Sequence, residues 1–560
     1  MEYVIILLLI VLGVFLKLLY DEKNFRNRLK ERLMKEWGQV PTEEYTAEKF
    51  QSIQYYYKTQ KNDNLDVDDI TWNDIDMNQI YMLMNNTCSS MGEEYLYSVL
   101  RKLHYDPDTL LERNRLIEFF EKNPKQRLEI QLALGTIGKL KNLSLYEYIN
   151  RTDDIEKHNP FEHYLCILGL VGSIAIIFIP QFFGLGIAGT VFFVANNMIR
   201  YYKRKAQIEK YFSVFSHILK VLGSIQNVAN LKISEIQQYT NLLKGAQQAF
   251  QKFKKGAFFV LGGRNMGGDI SDFILDYARM LFHIDLIKFD TMLREIRKNK
   301  DVLNQIYAAI GTLDSMIAVA SFRKLLEGDY CLPNLEKSEK PFLYVDDVYH
   351  PLIEDPVRNS IHEKRCILIT GSNASGKSTF IKTMALNAIL SQTIYTSLSK
   401  SYHASYFKVF SSMALKDDLF SHESYYIVEI KSLKRILDQM DKDIPMLCFV
   451  DEVLRGTNTL ERIAASSQIL DSFAGNNALC FAATHDIELT HILEKEYSNY
   501  HFQEQIIQND IIFDYVLYEG RAVSRNAIKL LGIMGYKESI IEKATQEANH
   551  FLENGVWRAL

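Results

Sequence analysis

The stretch Gly371, Ser372, Asn373, Ala374, Ser375, Gly376, Lys377, Ser378, Thr379 completes the pattern GxxxxGK[ST] directly after the apolar run Cys366 to Thr370. A buried strand that turns through glycines into a helix restricts this part of the chain to a strand–loop–helix unit in an α/β domain. Gly371 and Gly376 let the backbone curl so that successive N–H groups point at phosphate oxygens. The helix starting near Lys377 adds the positive end of its dipole. In that reading Lys377 reaches the β and γ phosphates of ATP or GTP, and the Ser378 hydroxyl holds Mg²⁺.

At 560 residues the chain is long enough for about three domains. A net charge of −5 gives no global attraction to nucleic acid, so contact with DNA would need a local basic surface. The six cysteines form no CxxC pair and read as small buried hydrophobes in a reducing compartment.

Two regions break the soluble pattern. Tyr3 to Tyr20 is apolar apart from Lys17, and about 18 residues at roughly 1.5 Å each cross most of a bilayer core. Lys23, Arg26, Arg28, Lys30, Arg32 and Lys35 follow it, which puts the downstream side in the cytoplasm. Tyr164 to Asn196 carries no formal charge and is interrupted by Pro180-Gln181, as in a helical hairpin. Arg200, Lys203, Arg204 and Lys205 come next, so the chain returns to the same side. The expected topology has three crossings with the N-terminus outside: a multi-pass protein of the cell membrane, in contact with lipid.

The expected division is a transmembrane anchor over 1–22, a charged linker over 23–69 and a helical core domain over 70–150. A transmembrane hairpin over 160–198 and lever helices over 199–332 come next. An α/β nucleotide domain over 333–522 and a C-terminal pair of short helices over 523–560 complete the chain. In the fifth segment Gly262 to Gly268 lacks the Lys-Ser of a phosphate loop and reads as a turn. Beyond Leu332-Pro333 apolar strands alternate with helical stretches, as in a parallel sheet covered by helices.

Two of those strands end in titratable groups. Met446 to Val450 runs into Asp451-Glu452, which predicts that Asp451 supports Mg²⁺ and that Glu452 polarises the attacking water. Leu479 to Thr484 runs into His485, placed to sense the γ phosphate.

The order of these motifs resembles the MutS family of DNA mismatch-repair ATPases. That family carries GPNMGGKST, an ADDL segment before STFMVEM, DEIGRGTST and ATHxxEL. This chain has GSNASGKST at 371–379, KDDL at 416–419, SYYIVEI at 424–430, DEVLRGTNT at 451–459 and ATHDIEL at 483–489. Outside that region Asn86-Thr87, Met91-Gly92, Leu96, Leu100, Pro107 and Leu111 to Arg113 are similar to the family's helical core domain. His350-Pro351 is similar to the segment opening its ATPase domain, and Ser524 to Leu552 to its C-terminal pairing helices. Leu454 stands where the family usually has glycine, and Asn458 where it usually has serine.

The resemblance implies a multidomain fold: a helical core and lever joined to a P-loop ATPase domain of the ABC-like type, here with transmembrane helices. It also implies a homodimer with ATP between two heads, Ser424 of one subunit reaching the γ phosphate bound by the other. The family's mismatch reader, an N-terminal domain with a Phe-x-Glu wedge, has no counterpart in this reading. Phe119-Phe-Glu121 fits the three letters but falls in a predicted core helix, so mismatch reading is not expected. DNA contact, if retained, is expected around Lys244 to Gly268, through Lys252, Lys254, Lys255 and Arg264. The expected function is a membrane-anchored, Mg²⁺-dependent ATP hydrolase whose lever arms clamp DNA in a repair-related or structured-DNA role. The alternative is a membrane mechanochemical or signalling ATPase that does not bind DNA. An ABC transporter fits less well, because no LSGGQ-like signature precedes Asp451.

Overall fold

A computed structural model describes residues 2–155, 161–256, 270–372, 375–413, 425–440, 442–507, 510–522 and 527–558. The chain forms two compact units. One comprises Met1–Lys61, Tyr81–Val99 and Arg113–Glu327, and the other Asn62–Ile80, Leu100–Glu112 and Gly328–Leu560. Residues 62–69 of the expected linker and 70–80 and 100–112 of the expected helical core domain therefore fold with the C-terminal unit.

The first unit is helical. Helix starts are marked by side-chain caps: Thr46 accepts from the Lys49 N–H before Ala47–Lys58, and Ser144 accepts from the Glu147 N–H before Leu145–Asn150. The region expected as a charged linker is largely helical, and Ile53, Tyr56 and Tyr57 are buried. Tyr56 stacks on Tyr307 with ring centroids 4.9 Å apart and meets Tyr146 edge-on at 4.7 Å, so the core is unusually aromatic. Asp314, fully buried on helix Lys300–Leu325, accepts from the N–H groups of Cys88 (2.9 Å) and Ser89 (2.8 Å), which precede helix Ser90–Arg101. A Cβ at Gly92 would come within 2.1 Å of Asp314 Oδ2, so this close approach requires glycine.

The longest element is the helix Phe183–Ala229, 47 residues without a break, about 70 Å at 1.5 Å per residue. Its first third exposes Leu185, Ile187, Val191, Phe192 and Ile199, whereas Ile208, Phe212, Phe215, Ile218, Leu222 and Ile225 in the remainder are buried. It runs antiparallel to Phe161–Ile177 through a short turn at Pro180–Phe182. Among the described residues, two helices are long and apolar enough to cross a membrane, Pro180–Ala229 and Lys300–Leu325. The apolar window of the second is mostly buried, as expected of a core helix, while that of the first is mostly exposed. The expected N-terminal anchor lies in helix Glu2–Glu36, where most side chains before Tyr20 fall outside the described ones.

In the second unit β1 (Asn334–Glu336), β2 (Leu343–Val348), β3 (Asn359–Glu363) and β5 (Ser401–Ser405) form a mixed sheet in the order β1-β5-β2-β3. β4 (Cys366–Thr370), β6 (Lys408–Ser412), β7 (Met446–Asp451), β8 (Ala478–Ala483), β9 (Tyr497–His501) and β12 (Tyr518–Glu519) form a larger sheet ordered β12-β9-β4-β8-β7-β6. All its pairs are parallel except β12 with β9. Every residue of β4 and β8 is buried, the pattern of central parallel strands covered on both faces. The remaining hairpin pairs β10 (Glu504–Ile507) with β11 (Asp510–Phe513).

The open edge of the larger sheet is closed by the small helix Asp69–Asp74. Thr71 Oγ1 accepts from the Ser411 N–H at 3.0 Å, and Asp74 Oδ2 accepts from Ser411 Oγ at 2.6 Å and from the Met413 N–H at 2.9 Å. An edge strand so covered no longer offers free backbone groups for pairing with another chain. The cysteines are free thiols, five of them buried and Cys331 half-buried.

Candidate functional site

The carboxyl ends of β4, β7 and β8 lie side by side, because the parallel order β4-β8-β7 puts the three strands next to one another. In open α/β sheets this edge is where ligands bind. After β4 the chain turns at Gly371 (φ 151°) and Gly376 (φ 107°) and enters helix Lys377–Thr393. A Cβ on Gly371 would stand 2.8 Å from the Phe502 carbonyl oxygen and 2.9 Å from Ser375 Oγ, so the tight turn admits no side chain there. Ser372 is tied down through Oγ, which donates to Glu504 at 2.7 Å. Asn373 and Ala374 lie outside the described residues.

Lys377 is buried, and its ammonium donates to the carbonyl oxygens of Gly371 and Ser372, each at 2.7 Å. Burial lowers its pKa, against the opposing pull of Asp451 and Glu452. Ser378 Oγ meets Asp451 Oδ2 at 2.5 Å, so the loop and the end of β7 share one polar contact. Burial pushes the Asp451 carboxyl above its ordinary range despite that hydrogen bond.

Glu452 sits in the left-handed region (φ 55°), with its N–H bonded to the Ala483 carbonyl at 3.0 Å. Its Oε1 lies 3.1 Å from His485 Nε2, and Oε2 pairs with Arg455. Burial works to raise this carboxyl, but His485 and Arg455 outweigh it and hold it below the usual range. The tip carrying His485 is braced by a two-point Arg462–Asp486 pair at 2.9 and 2.6 Å.

A cavity of about 540 Å³ opens beside these groups. It is lined by Lys377, Ser378 and Glu452 and by Tyr349, His350, Val357, Phe502 and Tyr515. Tyr515 also has a left-handed backbone (φ 54°), pinned by Asn359, which donates to the Tyr515 carbonyl at 3.0 Å and accepts from the Leu517 N–H at 2.7 Å. Burial, with Lys382 nearby, lowers the His350 pKa to about 4.

Of the residues expected at the site, Gly371, Ser372, Ser375, Gly376, Lys377, Ser378, Thr379, Asp451, Glu452 and His485 come together here. Ser424 and the KDDL segment lie outside the described residues. Glu429, quoted with its motif but given no role, is buried and accepts from the N–H groups of Leu454 and, at 3.1 Å, Arg455. Leu454 keeps a left-handed backbone (φ 57°) with its side chain buried, so this turn is made without the glycine usual in the resemblance. Asn458 caps helix Thr459–Ala474 by accepting from the Glu461 N–H at 3.0 Å, which serine does equally well. Arg455, Glu504, Asn359 and Tyr515 were missed. Arg455 lies within the quoted 451–459 motif, which could have found it, whereas nothing local in the sequence marks the other three.

Phe119 and Phe120 are buried in helix Pro107–Lys122 and cannot act as a wedge. In the region considered for DNA, Lys254 donates to the Leu222 carbonyl at 2.9 Å, and Arg264 lies outside the described residues.

Residues 367–552 match the family model described as MutS domain V. Relatives named DNA mismatch repair protein MutS include those of Natronomonas pharaonis, 26% identical over 46% of this chain and 31% of the relative, and Clostridium kluyveri, 26% over 50% and 33%. The relative from Thermotoga maritima is 26% identical over 46% and 33%. The match spans about a third of the length of these relatives. Residues 367–552, built around the glycine loop, are thus similar to MutS domain V, and the C-terminal half of the chain is similar to MutS proteins at about a quarter identity.

Proposed function

We propose that this chain is a P-loop ATPase that binds ATP with Mg²⁺ in the cavity beside Gly371–Thr379 and hydrolyses it. The observation that carries the reading is the convergence of Lys377, the Ser378–Asp451 contact and the Glu452–His485 pair on one cavity. The residues fit the ligands. A cradle too tight for a Cβ suits backbone donors to phosphate, and a hydroxyl beside a carboxylate suits Mg²⁺, which takes few protein ligands and completes its shell with water and phosphate. Among the described residues no cluster of three or more His, Cys, Asp or Glu could hold a metal unaided, and this arrangement needs none. Ser378 and Asp451 would hold Mg²⁺, whose charge stabilises the phosphoryl group in transfer.

Lys377 would exchange its two carbonyl partners for phosphate oxygens. Glu452 orients a water and takes its proton at Oε2 once Arg455, itself half-exposed, swings aside, while His485 keeps Oε1 fixed. The aromatic side chains of the cavity would take the base against Tyr515. Replacing Glu452 with Gln should lower turnover by about 10² to 10⁴ while nucleotide still binds, and unchanged turnover would assign water activation to another group.

Beyond the head, we propose a homodimer with ATP shared between two domains V, Ser424 acting across the pair and hydrolysis moving the helical levers. We place the chain at the cell membrane, with the ATPase domain cytoplasmic. The relatives' names support DNA as the clamped object. The exposed apolar helices and the engagement of Lys254 with a backbone carbonyl favour a second reading, a membrane ATPase that moves without DNA. Gel shifts with mismatched, branched and plain duplexes across a salt series separate the two. Binding that weakens with salt supports the first, and none at low salt with turnover intact supports the second.

A further inference from the structure

No Asp, Glu, Lys or Arg lies between Glu162 and Arg200, and these two residues pair at 3.4 Å where the arms of the hairpin meet the helical body. From that level to Phe178 is 16 residues, about 24 Å of helix. A bilayer's hydrocarbon core is about 30 Å thick and its headgroups bring it to roughly 40–45 Å. The arms are therefore too short to carry the turn through the far headgroup layer.

The turn is also built for hydrocarbon. Phe178 is 82% exposed, Phe182 51% and Phe183 53%, and Gln181 is the only polar side chain from Phe178 to Phe183. A turn emerging into water would place these rings there without compensation. Along the arms the outward face is apolar, with Leu165, Leu168, Leu185 and Val191 exposed, while the hydroxyls are satisfied internally. Ser173 Oγ donates to the Leu170 carbonyl and Thr190 Oγ1 to the Gly186 carbonyl, both at 2.8 Å. The arms touch through small residues: a Cβ on Gly186 would lie 2.7 Å from the Ile177 nitrogen, a helix contact typical of lipid surroundings.

At the base the hairpin is fastened by buried polar groups. Asn197 donates to the carbonyls of Cys166 (3.4 Å) and Leu281 (3.0 Å), His163 Nδ1 lies 2.9 Å from His283 Nδ1, and Tyr201 donates to Asp285 at 2.8 Å. Deeper insertion would drag this network and the Glu162–Arg200 pair into hydrocarbon, so the base sets a stop.

From these observations we propose that Phe161–Ile199 is a re-entrant wedge: it enters a lipid bilayer from the side of the helical body, ends within the hydrocarbon and returns, in place of two full crossings. This rests on the membrane reading above and changes its topology to one crossing, by the N-terminal helix, plus the wedge. The exposed Lys203, just outside the base, fits anionic headgroups.

The test reconstitutes the full chain in vesicles of phosphatidylcholine and phosphatidylglycerol and labels Gln181→Cys with a membrane-impermeant maleimide, added outside or loaded inside. Exposed Lys210→Cys serves as the reactive control, and the native chain gives the background. Gln181→Cys should react at least about tenfold more slowly than the control whichever face carries reagent, because both routes end in hydrocarbon, and should recover in detergent. Labelling from the face opposite the control would show a full crossing and overturn the proposal. Labelling as fast as the control and from the same face would show that the hairpin stays out of lipid. Flotation separates these outcomes from the broader reading: a chain that does not float with the vesicles is not a membrane protein at all.

Discussion

Two loops border the cavity, one after β4 and one after β7, and both bend through the left-handed region. The first does so with Gly371 and Gly376, the second with Glu452 and Leu454. A left-handed backbone costs a side-chain-bearing residue about 1 to 2 kcal/mol, so the second loop is held in a conformation it would not choose. What holds it is visible: the Glu429 carboxylate clasps the N–H groups of Leu454 and Arg455, the Leu454 side chain is buried, and β8 takes the Glu452 N–H. In the proposed reading the first loop leaves its N–H groups to phosphate and cannot be clasped in this way. Glycine is required where the backbone serves a substrate and dispensable where a neighbouring carboxylate can do the holding.

That contrast can be broken from either side. The largest effect is expected for Gly371→Val, where the added Cβ meets the Phe502 carbonyl. A strain of about 3 kcal/mol placed on the loop should weaken binding of a fluorescent ATP analogue by roughly a hundredfold. Glu429→Ala should lower unfolding stability by about 2 kcal/mol, because two N–H groups are left unpaired. A denaturant titration reads this, and turnover should fall with nucleotide affinity little changed. Leu454→Gly should destabilise less. About 3 kcal/mol of burial is lost and about 1 to 2 kcal/mol of backbone strain is relieved, so a net gain in stability would mean that the leucine is tolerated rather than held.

The smallest effects are in pH, and both run the same way, stability rising with pH in two separate windows. Lys377 titrates below its ordinary 10.5, so the unfolded chain holds more proton there and stability should rise as pH climbs through the window between the two values. Glu452 titrates below its ordinary 4.5. Its contribution is therefore present above 4.5 and lost as pH falls through the lower folded value. Melting temperatures of Lys377→Met and Glu452→Gln against pH should each lose one of these slopes and keep the other.

Much of the site was legible because central parallel strands read as unbroken apolar runs. β4, β7 and β8 stand out in the chain for that reason, and whatever follows their carboxyl ends is placed at the cavity. Glu429 and Asn359 were not legible, since a lone polar residue carries no local sign of the backbone groups it will meet. The helix Asp69–Asp74 was hidden for a second reason: Asp74 and Ser411 are 337 positions apart, and helical periodicity cannot say which sheet edge a short helix will cover. The hairpin was legible as apolar, but the pairing of Glu162 with Arg200 at its base is not something composition reveals.

The unbroken helix Phe183–Ala229 imposes a phase relation on the molecule. Each residue turns the axis by about 100°, so the direction in which the exposed Phe192 points outward is locked to the direction in which Phe215 faces its core. One residue inserted between Arg200 and Ile208 would twist the two halves by more than a quarter turn and force one of them off its surroundings. Four inserted residues, close to one full turn, would restore the alignment and merely lengthen the shaft. The stretch between the exposed apolar third and the buried remainder is thus free to drift in composition but not in count.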